Sequence, residues 1–472
     1  MLKTLAIVGV IYLIILIILS LKARTKERNS IVYLMAGSNL GAFLGFFTFA
    51  ATLFSTFTLL GMPDFFRNHG VGAWIFLAVS DAFMVFGIIW LGYAFRKRAV
   101  NHQYYGMAGF LSHQYQSRLA GIVVFIGAFI FLIPYVAIQI RGVAIFLNAA
   151  FPTALPIWGW ALAMVVVMLI YSEVGGLKAI IYSDTLQGIL LLVAIWIVGI
   201  GCLKHFGGIG EMFDQVEASN EALLSVPGPK GLFDFQFLFG SMIAIVLLPF
   251  TQPQVSTRLV IMKSTKALYR MAIGLGIFAF LVILPTLFMG MYGAILYPDA
   301  STSEFLNQTF IADQSNLIGA LVMIGLVAAA ISTSDSQVFA LGGELRSLLS
   351  GEDSKMLKIA RIGIGVFAIL ALTFAIYSSD QLVLLARTSF AGTAILAPMI
   401  FTGIFYPKAV KMKVLPVATL VGLFILVISL IGWLPDVVWG IRLDLILLIL
   451  LALWALIQIS WIEYVKKSEA PT

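Results

Sequence analysis

A single cysteine, Cys202, is all the sulfur chemistry the chain offers, which excludes a disulfide framework and a cysteine metal site. It lies inside an apolar run and reads as core or lipid-facing filler. Charge is scarce too. Only 11% of the 472 residues are Asp, Glu, Lys or Arg, against 61% hydrophobic, and no soluble fold finds enough polar surface to cover that much apolar material. The four histidines, His69, His102, His113 and His205, fall in or beside loops without ligand spacing. That removes the metal or nucleophile–base constellation a membrane-embedded enzyme needs. No loop is long enough to hold a soluble catalytic domain, so any chemistry occurs among helices or at their mouths.

What is present is apolar length. Runs of about twenty residues, enough to cross a hydrocarbon core of roughly 30 Å as helix, recur from Leu2 to Tyr464. There are about thirteen. Mean hydropathy is +1.04, and the chain reads as an all-α integral membrane protein embedded in the lipid bilayer of the cell membrane. The first run, "LAIVGVIYLIILIILSL", has no small-residue cleavage site and its basic cluster follows it, so it reads as a retained span rather than a signal peptide. The net charge of +7 is spread over short loops rather than gathered in one tract, which argues against a nucleic-acid partner. Its placement fits the positive-inside rule. Basic residues alternate between loops: Lys22 to Arg28, Arg96 to Arg98, Lys263 to Arg270, Arg346 to Arg361, Lys408 to Lys413, and Lys466 with Lys467. With an odd number of spans this places the N-terminus outside and the C-terminus inside.

Two spans carry breaks. The second, "AGSNLGAFLGFFTFAATLFSTFTLLGMPDFF", is overlong and rich in hydroxyls near its middle. The seventh holds Pro249 and Pro253 around Thr251 and Gln252, and each proline frees a carbonyl a turn earlier. Breaks five spans apart fit a five-plus-five repeat, the arrangement in which secondary transporters build their midplane sites.

A membrane carboxylate needs a partner, a proton or an ion. Asp81 in the third span reads equally as a packing residue and as a functional one. Arg141 and Arg387, near span ends, are expected to snorkel towards the interface. In "ISTSDSQ" Ser332, Asp335 and Ser336 are three and four apart and share a helical face, with Thr333 beside it. Hydroxyls, a carboxylate and freed carbonyls suit a hard cation such as Na⁺. Back-bonded hydroxyls that let helices pack closely are the competing reading, and the charge of Asp335 is what that reading leaves unexplained.

Several stretches together resemble the sodium:solute symporter family. "GGLKAIIYSDTLQGILL" looks like the family's Gly-Gly turn followed by a helix carrying an Asp and a Gln. "QPQVSTRLVIMKS" is similar to its polar-Pro-x-x-x-x-Arg segment, and "AAAISTSDSQ" and "APMIFTGIFYPK" resemble its ninth and eleventh spans. The matches run from about Ala36 to Lys408.

The resemblance implies a single transmembrane domain over 1–472 with the leucine-transporter-type inverted repeat. The halves are 31–205 and 235–406, with peripheral helices at 1–22 and 411–465. It implies a main Na⁺ site on the carbonyls of Ala51, Phe54 and Ala329 and the hydroxyls of Ser332 and Thr333. A second cation or proton site would use Asp184, Ser332, Asp335 and Ser336. The carboxylate at Asp335, where a hydroxyl is common, leaves one Na⁺, two Na⁺, or Na⁺ with H⁺ open as the coupling ions.

The solute site is expected beside the ion, lined by Ser55, Thr56, Thr58, Gln252 and Gln254, with Phe54, Phe57 and Phe250 as walls. These segments hold no acidic residue, which points away from a cationic solute and towards a small organic anion, a monocarboxylate for instance, or an amino acid. "PYVAIQIRG" and "GMPDFFRNHG" most resemble monocarboxylate- and pantothenate-type members. A transporter-like sensor relaying to a signalling partner is the other class; such modules are usually fused to a signalling domain, and with "YVKKSEAPT" as its end the sequence is expected to be a transporter rather than a sensor. No obligate protein partner is evident.

Overall fold

The computed structural model describes residues 2–23, 35, 36, 39–102, 104 and 106–468; the basic residues Arg24, Lys26 and Arg28 lie outside them. Among the described residues the elements are nearly all helical. They begin with α1 (Leu2–Ala23), α2 (Ala42–Leu53), α3 (Met62–His69), α4 (Ile75–Asn101) and the short α5 (Met107–Gln114). Then come α6 (Arg118–Ala150), α7 (Ile157–His205), α8 (Phe235–Thr251), α9 (Pro253–Val260), α10 (Thr265–Leu296) and α11 (Asn316–Leu348). The last are α12 (Asp353–Tyr377), α13 (Leu382–Ala394), α14 (Ala397–Phe405), α15 (Val414–Leu430) and α16 (Leu443–Ser468). Among the described residues seven helices are long and apolar enough to cross a membrane, ten if each of three bent pairs is one span, and three shorter apolar helices add to these. This is a multi-pass membrane protein.

The bends have local causes. α2 and the segment Phe57–His69, which a π-helical turn opens and α3 completes, meet at 54° across a break that begins at Phe54, whose backbone is extended (φ −96°, ψ 111°). α8 and α9 meet at 56° at Gln252, also extended (φ −105°, ψ 122°). Gln252 precedes Pro253, and the proline ring disfavours α geometry in the residue before it. Pro249, which equally suggests a break, sits inside α8 instead. A third bend, 43° between α13 and α14, is absent from the sequence reading. Pro398, in the first turn of α14, could not have donated to a continuous helix.

The Gly-Gly turn expected at Gly175 and Gly176 is not found: both lie within α7, where the side chains of 171–176 are outside the described residues. At 49 residues, α7 is too long for one crossing of a roughly 30 Å core. It carries two apolar windows, Ile157–Ile170 and Ile180–His205.

α11 is the centre of the molecule, packed against α6, α7, α12 and α1. Both breaks reach it or its neighbours. At Gly142 of α6 an added Cβ would lie 2.2 Å from Thr56 Cγ2, so glycine is what lets α6 close onto the first break. The carboxylate of Glu344, near the end of α11, accepts from Met107 N at 2.8 Å and Ala108 N at 2.6 Å, capping the free donors that begin α5.

Candidate functional site

At the first break the backbone stops satisfying itself. Ser55 N–H turns to Thr58 Oγ1 at 3.3 Å, while the carbonyl of Ala51 accepts instead from Thr333 Oγ1 of α11 at 2.8 Å. Phe54 N–H closes the last turn of α2 onto Ala50 O at 2.7 Å. The structure thus joins two of the five atoms expected around a main Na⁺, Ala51 O and Thr333 Oγ1. Ala329 lies one turn before Thr333 on α11 and is buried. Ser332, fully buried, does not turn to the break; its hydroxyl donates to Asp184 Oδ1.

Three helices converge on Asp184 of α7. Thr48 Oγ1 of α2 donates to Asp184 Oδ2 at 2.5 Å. From α9, Arg258 Nη2 lies 3.8 Å from the same oxygen and donates to Ser336 Oγ at 2.7 Å. Thr52 Oγ1 reaches Ser336 Oγ at 3.3 Å. Sequence reasoning assigned neither Arg258 nor Thr48 a place here. The available signals were an arginine within a helix otherwise fit for lipid, and two threonines four apart on α2.

Asp335, on the same face as Ser332 and Ser336, is different. It is fully buried, and neither carboxylate oxygen has a hydrogen-bond partner. Its neighbours on that face, Ser332 and Ser336, bond Asp184 and Arg258 respectively. With both carboxylates ionised, the one guanidinium leaves a net charge of −1 among these described residues. One monovalent cation or one proton balances that. Tyr12 of α1 takes a 3.0 Å hydrogen bond from Gln187 Nε2 beside these carboxylates, so the peripheral first helix closes the cluster.

The residues expected to bind solute fall into two groups. Gln252 Nε2 contacts Ser389 Oγ at 3.3 Å and Thr393 Oγ1 at 3.5 Å, and Gln254 Nε2 donates to Gln252 Oε1 at 2.6 Å. The hydroxyls of Ser55 and Thr56 are buried without partners. A small cavity opens beside the breaks, lined by Leu53, Phe54, Phe57, Leu77, Asp81 and Phe390 among others. Phe250, expected as a wall, instead packs against Phe95 and Phe401, with ring centroids 6.3 Å and 5.2 Å away.

Asp81 corrects the expectation of an acid-free pocket. The third span folds against α8 and brings its carboxylate to the cavity. The two span-end arginines are both paired. Arg141 pairs with Asp380 at 2.8 Å, and Arg387 with Asp444 at 2.9 Å, stacked over Phe237 at 5.0 Å.

Helices broken near their middles, freed carbonyls facing a central hydroxyl-bearing helix, and a buried carboxylate without a hydrogen-bond partner form an arrangement that can hold an ion. Residues 33–422 match the family model described as "Sodium:solute symporter family", and the chain belongs to that family. It is 23% identical to the sodium/pantothenate symporter of Haemophilus influenzae, in an alignment covering 67% of this chain and 65% of the relative. It is also 23% identical to the high-affinity proline transporter PutP of Bacillus subtilis, over 82% of this chain and 84% of the relative. The chain thus spans slightly less than two thirds of the pantothenate relative's length. The fold matches a solved Na⁺-coupled sialic acid symporter with a TM-score of 0.78, at 16% identity over 96% of both chains.

Proposed function

We propose that this protein is a secondary active transporter that takes up a small organic solute with Na⁺ by alternating access. The solute is an amino acid or a small organic anion. The observation that carries this reading is the contact of Thr333 Oγ1 with Ala51 O at the break, with the unpartnered Asp335 two residues further along α11. The coupling ion is held by the carbonyls of Ala51, Phe54 and Ala329 and the hydroxyls of Thr333 and Ser332, the last after it leaves Asp184, and a second cation or a proton is held by Asp184, Asp335 and Ser336. Family membership and a Na⁺-coupled fold neighbour support the choice of ion.

Thirteen spans arranged as two inverted halves, 31–205 and 235–406, with the N-terminus outside, complete the reading. Three shorter apolar helices beside the seven long and three bent ones support that count.

The test is uptake or thermal stabilisation in Na⁺ against K⁺. A ligand of the folded state raises its stability by mass action. Ser332→Ala and Thr333→Ala should each raise the half-saturating Na⁺ concentration about tenfold or more, the loss of roughly one charge-assisted oxygen contact. Unchanged Na⁺ dependence in both would sink the assignment.

Orientation is tested separately. The one native cysteine is buried, so labelling background is low. A cysteine placed at the exposed Ser219 should react with an impermeant thiol reagent in intact cells, and one at the exposed Ser354 should not. The opposite pattern inverts the topology.

A further inference from the structure

We propose that Asp81 contacts the solute and makes this pocket select a positively charged nitrogen; the inference rests on the transport reading above and narrows its solute class. Asp81 is 93% buried, 7% exposed, and its carboxylate has no hydrogen-bond or ion-pair partner among the described residues. It faces the cavity at the breaks, where it is the one charged group in the lining. The arginines at 141, 258 and 387 are already committed to Asp380, Asp184 and Asp444. A purely anionic solute would therefore meet a carboxylate and no compensating cation, which disfavours it in a poorly solvated site.

The remaining walls suit a cation. Phe54, Phe57 and Phe390 present rings, and a ring face attracts ammonium or quaternary nitrogen. The rings are braced. Phe57 and Phe390 stand edge-on at 6.3 Å, and Tyr135 packs edge-on against Phe390 at 5.2 Å while its hydroxyl donates to Leu53 O at 3.0 Å. For a zwitterion, the nitrogen faces Asp81, and the carboxylate is left to the adjoining first break, where Ser55 and Thr56 hold unpaired hydroxyls outside the cavity lining. The cavity is small, so the helices part to admit the solute.

The test uses the full chain, purified, with isosteric pairs that differ only in the nitrogen. Suitable pairs are L-proline with cyclopentanecarboxylate, glycine betaine with 3,3-dimethylbutyrate, and β-alanine with butyrate, with choline and pyrrolidine as cations lacking a carboxylate. Each is scored by thermal stabilisation in Na⁺ and in K⁺. At least one nitrogen compound should stabilise the protein while its carboxylate isostere does not. For that compound Asp81→Asn should raise the half-saturating concentration tenfold or more, and Asp81→Glu, which keeps the charge, should recover part of the loss. Both variants are first checked for a monodisperse elution profile.

Stabilisation by the isosteres equal to that by the nitrogen compounds overturns the proposal. So does no stabilisation by any nitrogen compound while Na⁺ itself stabilises, or an unaltered concentration dependence in Asp81→Asn. Absence of any Na⁺ effect counts instead against the symport reading, and Asp81 is then judged on the isosteric pairs alone.

Discussion

Asp184→Asn is expected to abolish Na⁺-driven uptake and to lower stability by roughly 3–5 kcal/mol, the usual cost of removing one partner from a buried ion pair. The reason lies in what the carboxylate holds. Thr48, Ser332 and Arg258 converge on it from three helices, and without it the guanidinium keeps only Ser336 Oγ and Gln254 O. Fold and function separate in the double variant. Arg258→Met added to Asp184→Asn removes the stranded charge and should restore most of the stability, since replacing both partners is often near neutral. Uptake should stay lost. Thermal unfolding and initial uptake rates measure the two effects, and a single variant that keeps both its midpoint and its Na⁺-driven uptake would refute the role assigned to Asp184.

Asp335→Asn should have the opposite balance: little or no loss of stability, and a large change in coupling. Neither oxygen of Asp335 makes a hydrogen bond, so removing its charge strands no partner. If Asp335 completes a second Na⁺ site, the sigmoidal dependence of uptake on Na⁺ should flatten to that of one site in the variant. Each net charge moved inward gains roughly 2.3 kcal/mol per 100 mV of membrane potential, so losing a coupled Na⁺ should lower attainable accumulation about fiftyfold at that potential. Parallel titrations decide the point. A variant that keeps its Na⁺ slope but loses its pH dependence assigns a proton to the position. A variant that changes neither slope shows a carboxyl that only packs.

Much of this was legible in the sequence because the bilayer makes its signals expensive to fake. Apolar length gave the membrane class. Pro253 marked the second break, the hydroxyl-rich middle of the second span marked the first, and three polar groups at helical spacing on α11 marked the ion cluster. What sequence spacing could not supply was convergence across the fold. Ser332 meets Asp184 at a separation of 148 residues, and Thr333 meets Ala51 at 282. Arg258 was visible as part of a motif, yet its ion pair depends on how α9 leans after the bend. Asp81 was visible as a membrane carboxylate, yet its route to the cavity depends on which way α4 turns. Pro398 was read as part of a resembling stretch and not as the cause of a bend.

That turn of α4 has an origin in a detail of its backbone. Ile75–Val79 is a π-helical turn, a single-residue swelling of an α-helix, and Asp81 follows it by two residues. Each residue of α-helix advances the azimuth by about 100°. The extra residue therefore fixes the side of the helix on which Asp81 emerges. Solute preference in a chain built this way is open to change by one inserted or deleted codon upstream, with every pocket residue left intact. Residue identities compared column by column would miss such a change, because the difference lies in register rather than in composition.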